Sequence, residues 1–336
     1  MRRCRPDSAG LRAPWAALLL LGAVGGGAAS AQPVPEPGPQ RGPLVQRLRV
    51  LLLSTMLADR GIGEWGFAAL VEADGRRLLF DTGAAPDTVL RNARSLGVDL
   101  GAVEDVILSH NHRDHTGGLL ALRRALRGAA PRALSRVHVA PGIFDPRPGR
   151  EGDDNGLLRD RAAFEATGGR FIEHARPTAL APGVWVTGPV PQTFPERNYS
   201  ALGQVLTPAG PRPDTVPEDQ ALLIDTDRGL VVLAGCGHAG IVNTLVFAQA
   251  QRGGARVHAI IGGLHLFQAT EETLAWTGAE LRARGVQHLL GAHCTGIEAV
   301  FALRRALGLS RAACVVGAVG ASFDLGHGID PLRVAR

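Results

Sequence analysis

The stretch Ser109-His110-Asn111-His112-Arg113-Asp114-His115-Thr116-Gly117-Gly118 decides how this chain is read. Residues 110–115 hold three histidines and one aspartate. Ahead of them runs Val103-Glu104-Asp105-Val106-Ile107-Leu108, an apolar, β-branched segment that reads as a buried strand. Behind them lies Leu119-Leu120-Ala121-Leu122-Arg123-Arg124-Ala125-Leu126-Arg127, rich in helix formers. The cluster therefore sits at the C-terminal end of a strand, on the turn into a helix, where α/β layers bind their ligands. Imidazole nitrogen and carboxylate oxygen suit borderline divalent cations. Alternate residues of an extended turn point the same way, so His110 and His112 can grip one cation. Asp114 and His115 lie beyond the turn and can reach a second. Two cations at roughly 3.5–4 Å can hold one hydroxide between them as a nucleophile. The competing reading is a polar loop with chance histidines, or one structural zinc. The buried strand before the motif and the glycine pair after it argue against that.

Working outward, residues 48–53 and 65–72 read as strands, and an Asp74-Gly75 turn leads into a return strand at 77–80. Asp81-Thr82-Gly83 ends that strand. Residues 87–96 form an amphipathic helix with Gly97 as its C-cap. Further strands fall at 136–140, 170–174, 184–187, 220–225, 229–234, 257–261 and 286–290. Helices fall at 241–251, from Thr270 with Glu271 and Glu272 in the first turn, and at 297–307. Residues 145–160 read as a charged loop. The proline-studded segment 188–219 is a lid or a floppy insertion, and its Arg197 and Tyr199 are placed to meet an anionic or aromatic substrate. The strand at 229–234 delivers Gly235-Cys236-Gly237-His238, the next ends in Gly262-Gly263-Leu264-His265, and the last leads to His293. Strand–helix alternation brings these ends to one edge, so His238 and His293 join the metal set. His138, His174, His258, His288 and His327 read as ordinary structural or surface residues.

The chain has no lysine, and its formal net charge of +5 comes from scattered arginines. No basic stripe interleaved with aromatics marks a nucleic-acid surface. Arg2, Arg3, Arg5 and Arg12 precede a short apolar run at 15–24 and an Ala29-Ser30-Ala31 cleavage signal. Residues 1–31 therefore read as a signal peptide of a periplasmic or secreted protein. The run is too short to span a bilayer comfortably, and no stable membrane insertion is expected after cleavage. Removing its four arginines and one aspartate takes the formal charge from +5 to +2. Residues 32–43 read as a flexible linker and 44–336 as the folded domain. Cys236, Cys294 and Cys314 remain, an odd number that argues against a disulfide framework. Cys236 is either a small buried residue or a thiolate ligand; Cys294 and Cys314 read as buried and inert.

At the H-x-H-x-D-H motif the sequence resembles the metallo-β-lactamase-fold superfamily. The segments 235–243, 261–266 and 292–296 look like one branch of it, often labelled 7,8-dihydropterin-6-methyl-4-(β-D-ribofuranosyl)-aminobenzene-5′-phosphate synthase-like or metal-dependent hydrolase. The resemblance spans roughly residues 48 to 325. It implies an α/β fold, the four-layer αβ/βα sandwich of the metallo-β-lactamase type. It implies two divalent metal ions, zinc in the first place, with manganese or iron as alternatives. His110 and His112 would hold the first metal, and Asp114, His115 and His293 the second, with His238 completing the set. His265 is either a ligand or a general acid, and Asp114 and His265 are the candidate catalytic pair. Asp81 would orient a ligand histidine, unless it is only a turn or cap residue. Cys236 stands where many relatives carry a bridging aspartate. One departure matters: relatives place a ligand histidine where this chain has Val216-Pro217-Glu218-Asp219-Gln220. The implied activity is hydrolysis of a small-molecule ester, lactone, amide or phosphodiester. The alternatives are a mononuclear-iron oxidoreductase of the thiol dioxygenase type and a non-catalytic periplasmic metal-binding protein.

Overall fold

Strands that are apolar on both faces demand cover on both faces, and that requirement builds the layers of this domain. In the strand Leu48–Ser54, Leu48, Val50 and Leu52 pack into one core while Leu51 and Leu53 pack into another. In Gly229–Ala234, Val231 and Leu233 join the first of these cores, and Leu230, Val232 and Ala234 join a third. The two-residue period sends alternate side chains to opposite faces. The computed structural model describes residues 42–149, 152–196, 198 and 203–334. Residues 1–31, read above as a signal peptide, and most of the segment read as a linker, together with Arg197 and Tyr199, lie outside the described residues.

The first sheet has eight strands, in the order Gly328–Asp330, Ser322–Asp324, Leu48–Ser54, Ala68–Ala73, Arg76–Phe80, Asp105–Ile107, Arg136–Val139 and Arg170–Glu173. It is antiparallel up to Arg76–Phe80 and parallel from there on. The second has seven strands, in the order Thr178–Ala181, Val184–Val186, Leu222–Thr226, Gly229–Ala234, Val257–Gly262, His288–Gly291 and Cys314–Val316. It too turns from antiparallel to parallel, at Gly229–Ala234. The sheets face each other across a core that includes Phe67, Phe80, Ile107, Leu233, Ile261 and Phe323. The helices Thr88–Ser95, Leu119–Leu126 and Gly156–Glu165 cover the outer face of the first sheet. Ile241–Gln251, Glu271–Ala283 and Ile297–Leu307 cover that of the second. This is the four-layer αβ/βα sandwich.

Three readings need correction. Trp65 to Phe67 precede the strand, which starts at Ala68. The segment 145–160, read as a loop, contains the hairpin Pro148–Gly149/Gly152–Asp153 and the start of the helix Gly156–Glu165. That helix is N-capped by the Asn155 side chain, which accepts from Leu158 N at 3.1 Å. The long segment 188–219 includes the hairpin Gln204–Thr207/Gly210–Pro213 and so carries regular structure of its own. The central motif also tightens: His112 is the N-cap of a single helical turn, Arg113–Thr116.

Candidate metal centre

The parallel halves of both sheets end at one edge, and the histidines of the motif meet there. His110 and His112 ring centroids lie 4.6 Å apart, His110 and His238 4.7 Å, His112 and His238 4.8 Å, and His110 and His115 4.2 Å. His293 stands 5.0 Å from His115, and His265 4.6 Å from His238. Among the described residues, metal-binding atoms fall into three groups, each within 4.8 Å: Asp114, His115, Cys236 and His293; His110, Cys236 and His238; and Cys236, His265 and Cys294. Cys236 is common to all three. Each group could hold a cation, and the thiol stands where the first two adjoin.

The surroundings fix which nitrogen of each ring faces the cluster. His115 Nδ1 lies 2.7 Å from Asp81 Oδ2, so Nδ1 carries a proton toward the carboxylate and Nε2, 3.0 Å from Cys236 Sγ, is the nitrogen that faces the cluster. Ser109 Oγ donates to the same carboxylate oxygen at 2.8 Å and therefore accepts from His110 Nδ1 at 2.9 Å. His238 Nδ1 donates to the carbonyl of Asn198. In this way His110 Nε2 and His238 Nε2 are left buried with no hydrogen-bond partner, as are both ring nitrogens of His293. Buried polar atoms are normally satisfied, so this concentration of orphan imidazole nitrogens fits a divalent cation. Held this way, the rings of His110, His115 and His238 are each oriented by an oxygen behind them.

Electrostatics point the same way. Burial, with its neighbouring histidines, keeps His110 well below the ordinary imidazole value, and burial likewise lowers His238. Burial brings His112 down to about 4. All three are neutral near pH 7, as ligation requires. Burial also disfavours a charged His115, but Asp81 and Asp114 outweigh it and push the group up to about 9. Asp114 is held well below the usual carboxylate range because His115 and His293 overcome the cost of burial. Its Oδ2 lies 3.2 Å from His293 Nε2, but the two are misaligned for a hydrogen bond. That arrangement suits two groups aimed at a common cation.

Of the seven non-glycine residues with left-handed backbone among the described residues, three belong to the site: Asp81 (φ 56°), His265 (φ 49°) and His293 (φ 47°). Such strain persists only where the surroundings enforce it, and it concentrates at functional sites. Gly235 is a glycine for a different reason. A Cβ there would stand 2.0 Å from Ser109 Oγ and 2.6 Å from Asp81 Oδ2. The two halves of the site approach so closely that no side chain fits between them.

The site adjoins a cavity of about 830 Å³ lined by Glu196, Asn198, His265, Phe267, Thr273 and Trp276, among others. Trp65, 48% exposed, packs edge-on against Phe267 at 5.4 Å and stands 4.8 Å from His293. It forms an aromatic rim between cavity and cluster.

The family described as the metallo-beta-lactamase superfamily matches residues 66–250. The chain belongs to the metallo-beta-lactamase superfamily. It is 31% identical over 250 residues to a protein of Methanocaldococcus jannaschii named 7,8-dihydropterin-6-methyl-4-(beta-D-ribofuranosyl)-aminobenzene-5′-phosphate synthase, covering 69% of this chain and 81% of that protein. Among solved structures it is similar to a metal-dependent hydrolase of the beta-lactamase superfamily, with a TM-score of 0.64 and 28% identity over 77% of this chain and 93% of the other. The metallo-beta-lactamase fold protein YhfI from Bacillus subtilis, at 13% identity, has a TM-score of 0.52 over 83% of this chain and 100% of its own. It shares the fold.

Within this superfamily member, the segment at 216–220 that lacks a histidine braces both halves of the site instead. Glu218, fully buried, accepts from Asn111 N at 3.3 Å and from Arg147 Nη2 at 2.7 Å. Burial lifts it to about 7. Asp219 accepts from Ala239 N at 2.9 Å, and burial pushes it up to about 8. Gln220 N donates to Ser109 O at 3.0 Å. Sequence reasoning missed these braces, the Asn198 carbonyl and the Trp65 rim, because each acts through a partner distant in the chain. Cys294, read as inert, is buried as expected but stands with Cys236 and His265. Its position beside His293 was the available signal. The remaining histidines fall outside the cluster. His138 bridges His174 (2.9 Å) and Asp105 (3.0 Å), His258 packs on His288, and His327 is exposed beside Asp324.

Proposed function

We propose that this chain is an exported, metal-dependent hydrolase acting on a small-molecule ester, lactone, amide or phosphodiester. The observation that carries the reading is the set of orphan buried imidazole nitrogens at the meeting point of His110, His238, His293 and Cys236. In this reading His110, His112 and His238 hold one divalent cation and Asp114, His115 and His293 a second, with Cys236 between them. Zinc suits the mixed nitrogen, oxygen and sulfur donors, with manganese or iron as alternatives. Such cations, when bound, supply Lewis acidity toward a carbonyl or phosphoryl oxygen and make water acidic enough to react near neutral pH.

The chain's own residues do the rest. Asp81 and Ser109 hold the rings of His115 and His110. Asp114, ionised and with its side chain 22% exposed, orients the attacking water by accepting its hydrogen bond. His265 lines the cavity and holds the proton that the leaving group takes up. Phe267, Trp276 and Trp65 give the substrate an apolar wall. The basic residues before 15–24 and the Ala29-Ser30-Ala31 signal support export with cleavage after Ala31. The name of the archaeal relative supports a second reading, a synthase that forms 7,8-dihydropterin-6-methyl-4-(β-D-ribofuranosyl)-aminobenzene-5′-phosphate.

Metal content of the purified chain, followed by turnover of generic esters, lactones and phosphodiesters, tests the first reading. Near two equivalents of zinc or manganese and metal-dependent hydrolysis are expected. Formation of the product in the relative's name without hydrolysis would move the assignment to the second reading, and absence of metal after remetallation would end both. N-terminal sequencing of the exported protein should begin at Gln32.

A further inference from the structure

Two members of the third group of donor atoms, His265 and Cys294, are not needed as ligands at the two cation positions just described. Cys236, His265 and Cys294 place two sulfurs and an imidazole nitrogen within 4.8 Å of one another. Both cysteines are free and buried, at 2% and 1% relative exposure. The fold goes to some length to assemble this trio. His265 takes a left-handed backbone conformation, and its backbone N–H lies 3.3 Å from Cys294 Sγ. Its Nδ1 is buried with no partner. A Cβ on Gly263 would stand 2.1 Å from Gly235 O and 2.8 Å from Cys294 Sγ, so a glycine is what lets these strand ends close around the thiols. Two thiols packed for bulk alone would need none of this.

We propose that Cys236, Cys294 and His265 form a second, sulfur-rich mode of metal binding that captures one thiophilic divalent cation of the zinc or cadmium class. Soft sulfur donors select such cations over hard, oxygen-seeking ones such as manganese. The proposal rests on the reading of Cys236 as a metal-facing thiol. It adds a consequence for that reading. A cation held by these three residues takes Cys236 away from the position between the other two groups. It also occupies the ring of His265, the residue assigned to the leaving group. An excess of a thiophilic cation then inhibits the enzyme, whereas manganese does not.

The test is a titration of the metal-free full-length chain with Cd²⁺, read by sulfur-to-cadmium charge-transfer absorbance, and in parallel with Mn²⁺, read by its paramagnetic signal. The variants are Cys294→Ser, His265→Ala and Cys314→Ser, the last being a buried cysteine that contacts Val300 O and lies outside the three donor groups. The proposal expects Cys294→Ser to reduce the charge-transfer absorbance by about half, because one of two thiolates is gone. It expects His265→Ala to keep both thiolates but weaken cadmium binding by at least roughly tenfold. Cys314→Ser should match the parent, and manganese binding should be unchanged in all three. Because His265→Ala removes a partly exposed side chain, it gives a result even if Cys294→Ser fails to fold. Equal cadmium affinity and absorbance in all four proteins would overturn the proposal and return Cys294 to a packing role. Manganese binding without any cadmium charge transfer would overturn it too, while leaving the imidazole and carboxylate site standing. Failure to bind either cation would overturn both this mode and the dinuclear reading.

Discussion

The two sheets contribute to the site in opposite styles. The first concentrates its donors: His110, His112, Asp114 and His115 all follow one strand, Asp105–Ile107, and Asp81 follows its neighbour, Arg76–Phe80. Its other two parallel strands, Arg136–Val139 and Arg170–Glu173, supply no residue to the three donor groups. The second sheet disperses its donors over three successive parallel strand ends. Gly229–Ala234 leads to Cys236 and His238, Val257–Gly262 to His265, and His288–Gly291 to His293 and Cys294. A contiguous run needs only local backbone geometry to bring its side chains together. A dispersed set depends on register, because one slipped pairing would turn its side chains to the other face.

That contrast predicts a graded response to mutation. The largest effect should come from His110→Ala combined with Asp114→Ala, which removes a donor from each of two groups. Metal retained after dialysis should fall by at least roughly 100-fold relative to the parent, measured by elemental analysis. Single changes in the second half, His238→Ala or His293→Ala, should each leave part of the metal bound. Equal loss from a single second-half change would break the contrast.

Next comes the seam between the halves. Gly235→Ala drives a methyl group into Ser109 Oγ and Asp81 Oδ2 and should cost about 3 kcal/mol in urea unfolding of the metal-free chain. It should also loosen donors from both sheets together. A loss below about 0.5 kcal/mol would show that the seam is softer than the distances imply.

A smaller effect belongs to Asp81→Asn, about 2 kcal/mol from the lost charge-assisted bond to His115. Its signature is in the pH dependence. His115 rises from 6.5 in the unfolded chain to about 9 in the folded one. The folded state therefore binds its proton more tightly, and the resulting stability is fully present below 6.5 and lost as pH rises through about 9. Thermal melts of the metal-free parent should show this fall, and the variant should be flatter over the same window. Cation binding has to displace that proton, so affinity should climb with pH across the same range. The smallest effect should be that of His327→Ala, whose side chain is 92% exposed. It should leave stability within about 0.5 kcal/mol and metal content unchanged.

What was legible in the sequence follows the same division. The run from His110 to His115, flanked by a strand and a helix, announced metal chemistry because neighbouring ligands share one backbone segment. The apolar runs at 48–53 and 229–234 announced strands. The helix Gly156–Glu165 was hidden because Gly156, Arg159, Asp160 and Arg161 look like loop composition, and the Asn155 cap was its one local mark. The strands Ser322–Asp324 and Gly328–Asp330 were hidden because they are short, and because the first holds its place by pairing with Leu48–Ser54, far away in the chain, and the second by pairing with the first. Cys294 beside His293 has the same sequence signature whether it packs or binds.

The sequence by itself determined the candidate donors of the first half, the apolar runs that form strands, and the superfamily resemblance. Tertiary structure decided which imidazole nitrogen is left unpartnered, since that depends on oxygens from Asp81, Ser109 and Asn198 standing behind the rings. It also decided that Cys236 is common to three donor groups and that Glu218 and Asp219 brace the site where a histidine was sought. The physical reason is range. Chain chemistry and periodicity are fixed by neighbours, whereas a donor's lone pair and a thiol's companions are fixed by groups that meet only when both sheets have closed.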